Sequence, residues 1–193
     1  MEKPILATNI DGLLIEHKAF VEPHKDWFER AIKKTKDNSL RKWIGADPYW
    51  PGVDEAMEKI LPNASKEERT KTAREWYQED VIKYIKYHSE VVKKDIAEKL
   101  LSIKDKYRLI LLTTNTKDYI YQILKVSKLE KIYDNIIASD TEKEPKKEEL
   151  LNRLIKKYGK PKYYLTGKLE DSINNSFKKL DIKVISEKEI NQI

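Results

Sequence analysis

Hydrophobic and polar positions follow two patterns along this chain. Short apolar runs with polar ends, the mark of strands buried on both faces, occur at Pro4–Thr8, Arg108–Thr113, Asn135–Ser139, Lys162–Leu165 and Ile182–Ile185. Between the later runs, apolar residues recur at three- and four-residue spacing, which predicts helices over Asp118–Val126, Lys146–Tyr158 and Asp171–Leu180. Strand and helix in alternation predict a parallel sheet with right-handed crossover helices, an α/β layer whose ligands bind beyond the carboxyl ends of the strands.

From about Glu16 to Val92 the alternation stops and only helical patterns remain. "HKDWFERAIKK" sets Trp27, Phe28, Ala31 and Ile32 on one face, and "VDEAMEKIL" follows Gly52. "SKEERTKTAREWYQEDVIKYIKYH" opens with Ser65 three residues before Glu68, the spacing of a capping box. A helical insert of this size after the first strand predicts a second lobe over the strand ends. The expected division is residues 1–15 and 93–193 for the α/β core and 16–92 for the lobe.

Composition narrows the function classes. The 193 residues carry no cysteine, which removes disulfides, thiolate metal sites and a cysteine nucleophile. No apolar run reaches the roughly 20 residues of a membrane span, and the first strand begins too early for a signal peptide, so a cytoplasmic protein is expected. The net charge of +6 comes from lysines interleaved with glutamates, as in "KKDIAEKL". That is the pattern of solvated helix faces. Nucleic-acid binding needs a concentrated basic stripe, so no nucleic-acid or membrane partner is expected.

Four segments fall at the carboxyl ends of predicted strands: Asn9-Ile10-Asp11-Gly12, the Thr113-Thr114-Asn115 end of "LILLTTNT", "DTEKEPKKEELL", and "YYLTGKLED" ending at Asp171. In this order they resemble the haloacid dehalogenase (HAD) superfamily of aspartate-nucleophile phosphohydrolases. The resemblance implies a Rossmann-like core with a parallel sheet flanked by helices and a helical cap inserted after the first strand. It also implies a magnesium ion and a small phosphorylated ligand or inorganic phosphate, with a protein partner for the cap left open.

The family's first motif is Asp-x-Asp-Gly-Thr, whose first aspartate attacks phosphorus and whose second is the general acid and base. By the resemblance, Asp11 takes the acid/base position and Gly12 the tight turn, while Thr114 and Asn115 fall at the phosphate-binding motif. The third motif's lysine is open among Lys143, Lys146 and Lys147, because Glu144 stands before Pro145. Asp171 matches a metal acid.

Three positions depart from the family, the least of them Leu13, which follows Gly12 where threonine is usual. Asn9 stands at the nucleophile, and a carboxamide has neither the charge to hold a dication nor a free anionic lone pair to attack with. In the metal motif, Gly167 stands at the other acid if the segments are matched without a gap, and Lys168 does if they are shifted by one. The family's metal site uses the nucleophile, these acids and a backbone carbonyl at the second aspartate, so magnesium is expected to bind weakly or not at all. The sequence therefore predicts an inactive phosphohydrolase fold that keeps an anion pocket from the Ile10–Leu13 amides, Thr114 and a lysine. The alternative is an active magnesium-dependent phosphatase in which Asn9 replaces a natural aspartate. Restoring both Asn9 and Gly167 to aspartate is the repair that this reading suggests. Thr113–Asn115 are expected to cap the following helix as well, and the three histidines are expected to be surface or packing residues.

Overall fold

In a computed structural model of the chain, residues 2–46, 48–139, 147–167, 176, 177 and 179–193 are described below. Five strands form one parallel sheet: β1 (Ile5–Thr8), β2 (Arg108–Thr116), β3 (Asn135–Ser139), β4 (Tyr163–Thr166) and β5 (Lys183–Ser186). Their order is β3-β2-β1-β4-β5. The chain builds outward from β1 to one side and then returns to build on the other, so β1 is the central strand. Its neighbours are β2, with Thr8 beside Leu111, and β4, with Thr8 beside Leu165. The crevice of such a sheet opens where the winding direction reverses, at the carboxyl ends of β1 and its neighbours.

Burial explains why these segments are strands. All four residues of β1 are buried, as are Leu109 to Thr113 of β2. Helices cover a central strand on both faces, so an unbroken apolar run replaces the alternation of a half-exposed sheet. Helix α6 (Lys147–Tyr158) packs Leu150, Leu151 and Leu154 on Ile110, Leu112 and Ile137. On the same layer, Tyr164 stacks on Phe177 with ring centroids 4.2 Å apart. Helix α5 (Lys117–Ser127) buries Ile120, Ile123 and Leu124 and ends at Lys128 in the left-handed conformation. The expected helix over Asp171–Leu180 lies largely outside the described residues. Strand β2 runs three residues past its expected end, through Thr116, because its register with β3 shifts between Leu112 and Thr116. A bulge of this kind lets polar residues end a strand and turns their side chains away from the ladder.

Between β1 and β2 the chain passes through four helices, α1 (Lys18–Thr35), α2 (Trp50–Ile60), α3 (Lys66–Tyr87) and α4 (Lys94–Ser102). Two compact units result: Met1–His17 with Ser89–Ile193, and Lys18–His88. In the helical unit, Trp27, Phe28, Ala31 and Ile32 of α1 meet Val53, Ala56 and Met57 of α2 and Ala73 and Trp76 of α3. The capping box forms as its spacing predicts. Glu68 donates its amide to Ser65 Oγ at 3.2 Å, and the Ser65 amide reaches Glu68 Oε2 at 2.8 Å. His24 lies between the rings of Tyr49 and Tyr77, at 4.0 and 4.6 Å. Burial there lowers its pKa from 6.5 to about 4, so it is a packing histidine, as expected. Among the described residues, no helix is long and apolar enough to cross a membrane.

Candidate functional site

The site begins where β1 ends. Thr8 is buried, and its hydroxyl donates to the Asn9 carbonyl at 2.9 Å. That leaves its oxygen to accept from the Tyr133 hydroxyl at 2.7 Å. Burial pushes the Tyr133 phenol well above its usual range, which keeps the donated proton in place. The Asn9 amide then donates to the Leu165 carbonyl of the neighbouring strand at 3.3 Å. These bonds fix the backbone from which the Asn9 side chain projects.

That side chain is held at both ends. Asn9 Nδ2 donates to the Asp11 carbonyl at 2.9 Å, and Asn9 Oδ1 accepts from the Gly167 amide at 3.4 Å. A carbonyl can only accept and an amide can only donate, so the two backbone groups dictate which way the carboxamide points.

The loop after Asn9 closes on itself. The Ile10 carbonyl receives the amides of Leu13, Leu14 and Ile15 at 3.3, 3.0 and 3.2 Å, and the Gly12 amide reaches the Ile15 carbonyl at 2.7 Å. Gly12 sits at φ +74°, a left-handed turn that favours glycine. Leu13, which stands where the family has threonine, is fully buried with Leu14 and Ile15. Of the loop amides near Ile10–Leu13 expected to serve an anion, Gly12 and Leu13 spend theirs inside the loop. The amides of Ile10 and Asp11 have no backbone partner among the described residues. Two successive amides without backbone partners are donors that an anion could use.

Two side chains that sequence patterns missed brace this loop. His17 Nδ1 lies 2.9 and 3.0 Å from the two oxygens of Asp11, so a histidine that is exposed, within the surface-or-packing expectation, also orients the Asp11 carboxylate. Lys93 Nζ donates to the Gly12 carbonyl at 2.8 Å and to Glu187 Oε2 at 2.7 Å. The backbone beside it is pinned as well: the Lys93 amide meets the Leu14 carbonyl and the Glu16 amide meets the Val91 carbonyl, both at 2.9 Å. Nothing in the local sequence signals either contact, because both depend on how the loop closes.

On the adjacent strand the β2 bulge carries Thr113, Thr114 and Asn115. The Asn115 amide and its Nδ2 both approach Thr113 Oγ1, at 3.2 and 3.3 Å. The expected capping of α5 is not made by these three residues. Thr116 is the N-cap and forms no side-chain cap bond. The bulge holds Thr113–Asn115 in the strand, one turn short of the helix start.

Gly167 follows β4 and meets the loop backbone to backbone. A Cβ on Gly167 would lie 2.0 Å from the Gly12 carbonyl carbon and 2.3 Å from the Leu13 nitrogen. No side chain of any kind fits there on this backbone. Asn9, Asp11, Gly12 and Gly167 are thus drawn together, with Thr114 and Asn115 at the end of the next strand. Lys143, Lys146 and Asp171 lie outside the described residues.

The donor set can now be tested against magnesium. Asn9 offers a carboxamide, the Asp11 carbonyl is already bonded, and Gly167 has neither a side chain nor room for one. No cluster of three or more histidine, aspartate or glutamate side chains that could hold a metal occurs among the described residues. These residues do not fit a magnesium ion, which wants near-octahedral oxygens with anionic charge.

Residues 9–164 match the family model for haloacid dehalogenase-like hydrolases. The chain belongs to this family. Solved HAD structures agree over nearly its whole length. A haloacid dehalogenase-like family hydrolase from Streptococcus pneumoniae superposes with a TM-score of 0.60 at 14% identity, covering 95% of this chain and 84% of that one. A putative β-phosphoglucomutase from Thermotoga maritima gives 0.55 at 20% identity, over 97% and 96%. The putative HAD-hydrolase YfnB from Bacillus subtilis, solved with bound magnesium, gives 0.58 at 11% identity, over 95% and 88%. No curated protein matches the sequence. The five-stranded parallel sheet with a helical insertion after β1 is the HAD core with its cap. At these identities the likeness shows the fold alone.

Proposed function

We propose that this HAD-fold protein binds a phosphate-bearing small molecule, or inorganic phosphate, without hydrolysing it. The observation that carries the reading is the Asn9 carboxamide, held between the Asp11 carbonyl and the Gly167 amide where the family has its nucleophile. It brings no charge and its oxygen is engaged, so the covalent step has no agent. The anion seat survives this loss. The Ile10 and Asp11 amides supply donors and the Thr114 hydroxyl lies on the neighbouring strand end, with Lys143 or Lys146 as the charge partner. A carboxylate missing from the cleft also removes repulsion against a phosphate.

The crowding at Gly167 supports the shifted matching of the metal motif. Gly167 is then the motif's glycine, Lys168 follows at the acid, and Asp171 falls one residue short of the family spacing. A lysine at an acid position favours an anion over a dication. A second reading, a working phosphatase, draws on one observation: Asp11 is retained and His17 orients its carboxylate.

Thermal unfolding separates these readings. Inorganic phosphate at about ten times its Kd, with EDTA present, should raise the melting temperature by about 3–6 °C. Thr114→Val should cut that shift at least by half. The protein should hydrolyse p-nitrophenyl phosphate in magnesium no faster than buffer does. No shift with phosphate up to about 20 mM, a range that covers ordinary weak anion sites, would end the binding reading. Robust magnesium-dependent turnover would establish the phosphatase.

A further inference from the structure

We infer that the Asn9 carboxamide takes the place of a divalent cation, using an N–H to hold the loop in the shape that a bridging metal would otherwise impose. Two observations and one geometric rule meet here. Asn9 Nδ2 lies 2.9 Å from the Asp11 carbonyl oxygen. Two ligands on adjacent corners of a magnesium octahedron, each about 2.0–2.1 Å from the ion, are also about 2.9 Å apart. The loop therefore keeps the spacing of a cation-bridged oxygen pair with a single proton between the partners. The other end of the amide is fixed by the Gly167 N–H, so the group cannot turn over without setting two donors against each other and two acceptors against each other.

The consequence for substitution at this position is sharp. An aspartate of the same shape sets an oxygen 2.9 Å from the Asp11 carbonyl oxygen, two acceptors facing with no proton between them. Without a cation nothing joins the two half-buried oxygens, and a cation between them would. Asparagine makes the loop indifferent to metal, whereas the one-group change from amide to carboxylate makes it ask for one. This deepens the proposal for the same site, but it concerns how the loop is held and not what the loop binds.

The test uses magnesium alone, with no phosphate present, so its outcome is independent of anion binding. Thermal unfolding of the full chain is followed in EDTA and in about 10 mM magnesium at matched ionic strength. The protein as it stands should melt at the same temperature in both. Asn9→Asp should melt about 2–6 °C lower in EDTA, as expected for half-buried acceptors set facing each other in a chain of this size, and should regain at least half of that loss with magnesium. Asn9→Ala should lose stability equally in both. If Asn9→Asp fails to fold in EDTA, circular dichroism follows its refolding as magnesium is added. Four results would each overturn the inference: a saturable magnesium shift in the unaltered protein, no loss for Asn9→Asp in EDTA, a loss that magnesium does not mend, or an Asn9→Asp variant that refolds in neither buffer.

Discussion

Replacing Gly167 by alanine is the most direct probe of how this cleft is built. The added Cβ would lie 2.0 Å from the Gly12 carbonyl carbon, 2.2 Å from its oxygen and 2.3 Å from the Leu13 nitrogen. Both sides of the contact are backbone, so no side chain can swing away to make room. The chain after β4 and the Gly12 turn must part by about 1.4 Å to restore an ordinary contact. Conformation is not the cause of the strain, since Gly167 is absent from the positive-φ residues while Gly12 is among them. Parting strains the Gly167–Asn9 hydrogen bond, already long at 3.4 Å, and the Asn9–Leu165 bond at 3.3 Å. Overpacking costs about 1–3 kcal/mol and a lost hydrogen bond about 1 kcal/mol more. A total of about 2–4 kcal/mol lowers the melting temperature of a chain this size by about 5–15 °C. Calorimetry reads the loss, and phosphate titration reads whether the anion seat is spoiled with it. Gly167→Asp should do at least as much damage and create no metal site. A Gly167→Ala protein that melts within about 1 °C of the parent and binds phosphate unchanged would refute the backbone contact and the reasoning built on it.

Two further outcomes follow from the helical unit. Burial lowers the His24 pKa to about 4 from 6.5, so the unfolded chain takes up this proton first as pH falls and stability drops between about pH 6.5 and pH 4. The full gap corresponds to about 3 kcal/mol and, discounted for partial exposure, to about 1–2 kcal/mol; His24→Phe should remove that part of the pH dependence in melts from pH 4 to 7. Gly52 lies in α2 with the Trp43 ring where a Cβ would be, 2.2 Å from Cγ. Gly52→Ala should therefore expel Trp43 from its bond to Glu55 Oε2, cost about 1–3 kcal/mol and shift tryptophan fluorescence to the red.

Much of this fold was legible because its signals are local. Every strand begins within one residue of its apolar run, and the capping box of Ser65 and Glu68 needed only a spacing of three. Strand β2 was read short because its last residues, Thr-Asn-Thr, are polar, and only pairing with β3 across a bulge makes them strand. His17 and Lys93 were missed for a related reason. Their partners are the Asp11 carboxylate and the Gly12 carbonyl, and the loop's own hydrogen bonds decide where those groups lie. The orientation of the Asn9 amide was equally out of reach, since it depends on Gly167, 158 residues away.

The sequence also misleads at one point, and the correction changes the electrostatics of the cleft. Matching the metal motif without a gap makes Asn9 and Gly167 look like two independent losses of a carboxylate. On this backbone Gly167 is not where an acid was lost, because the space there is filled by the Gly12–Leu13 peptide and a side chain does not fit. Among the described residues, the charge missing from this cleft is a single unit, at position 9, and the shifted matching moves the other missing acid to Lys168. At an effective dielectric near 20, one charge 4 Å from a cation is worth up to about 4 kcal/mol per unit of cation charge before solvation offsets it. That is enough to decide between a loop held by a metal and a loop held by a proton. It follows that restoring both positions is the wrong repair. The double change adds a steric clash at Gly167, and Asn9→Asp alone is the variant whose response to magnesium tests how the loop is held.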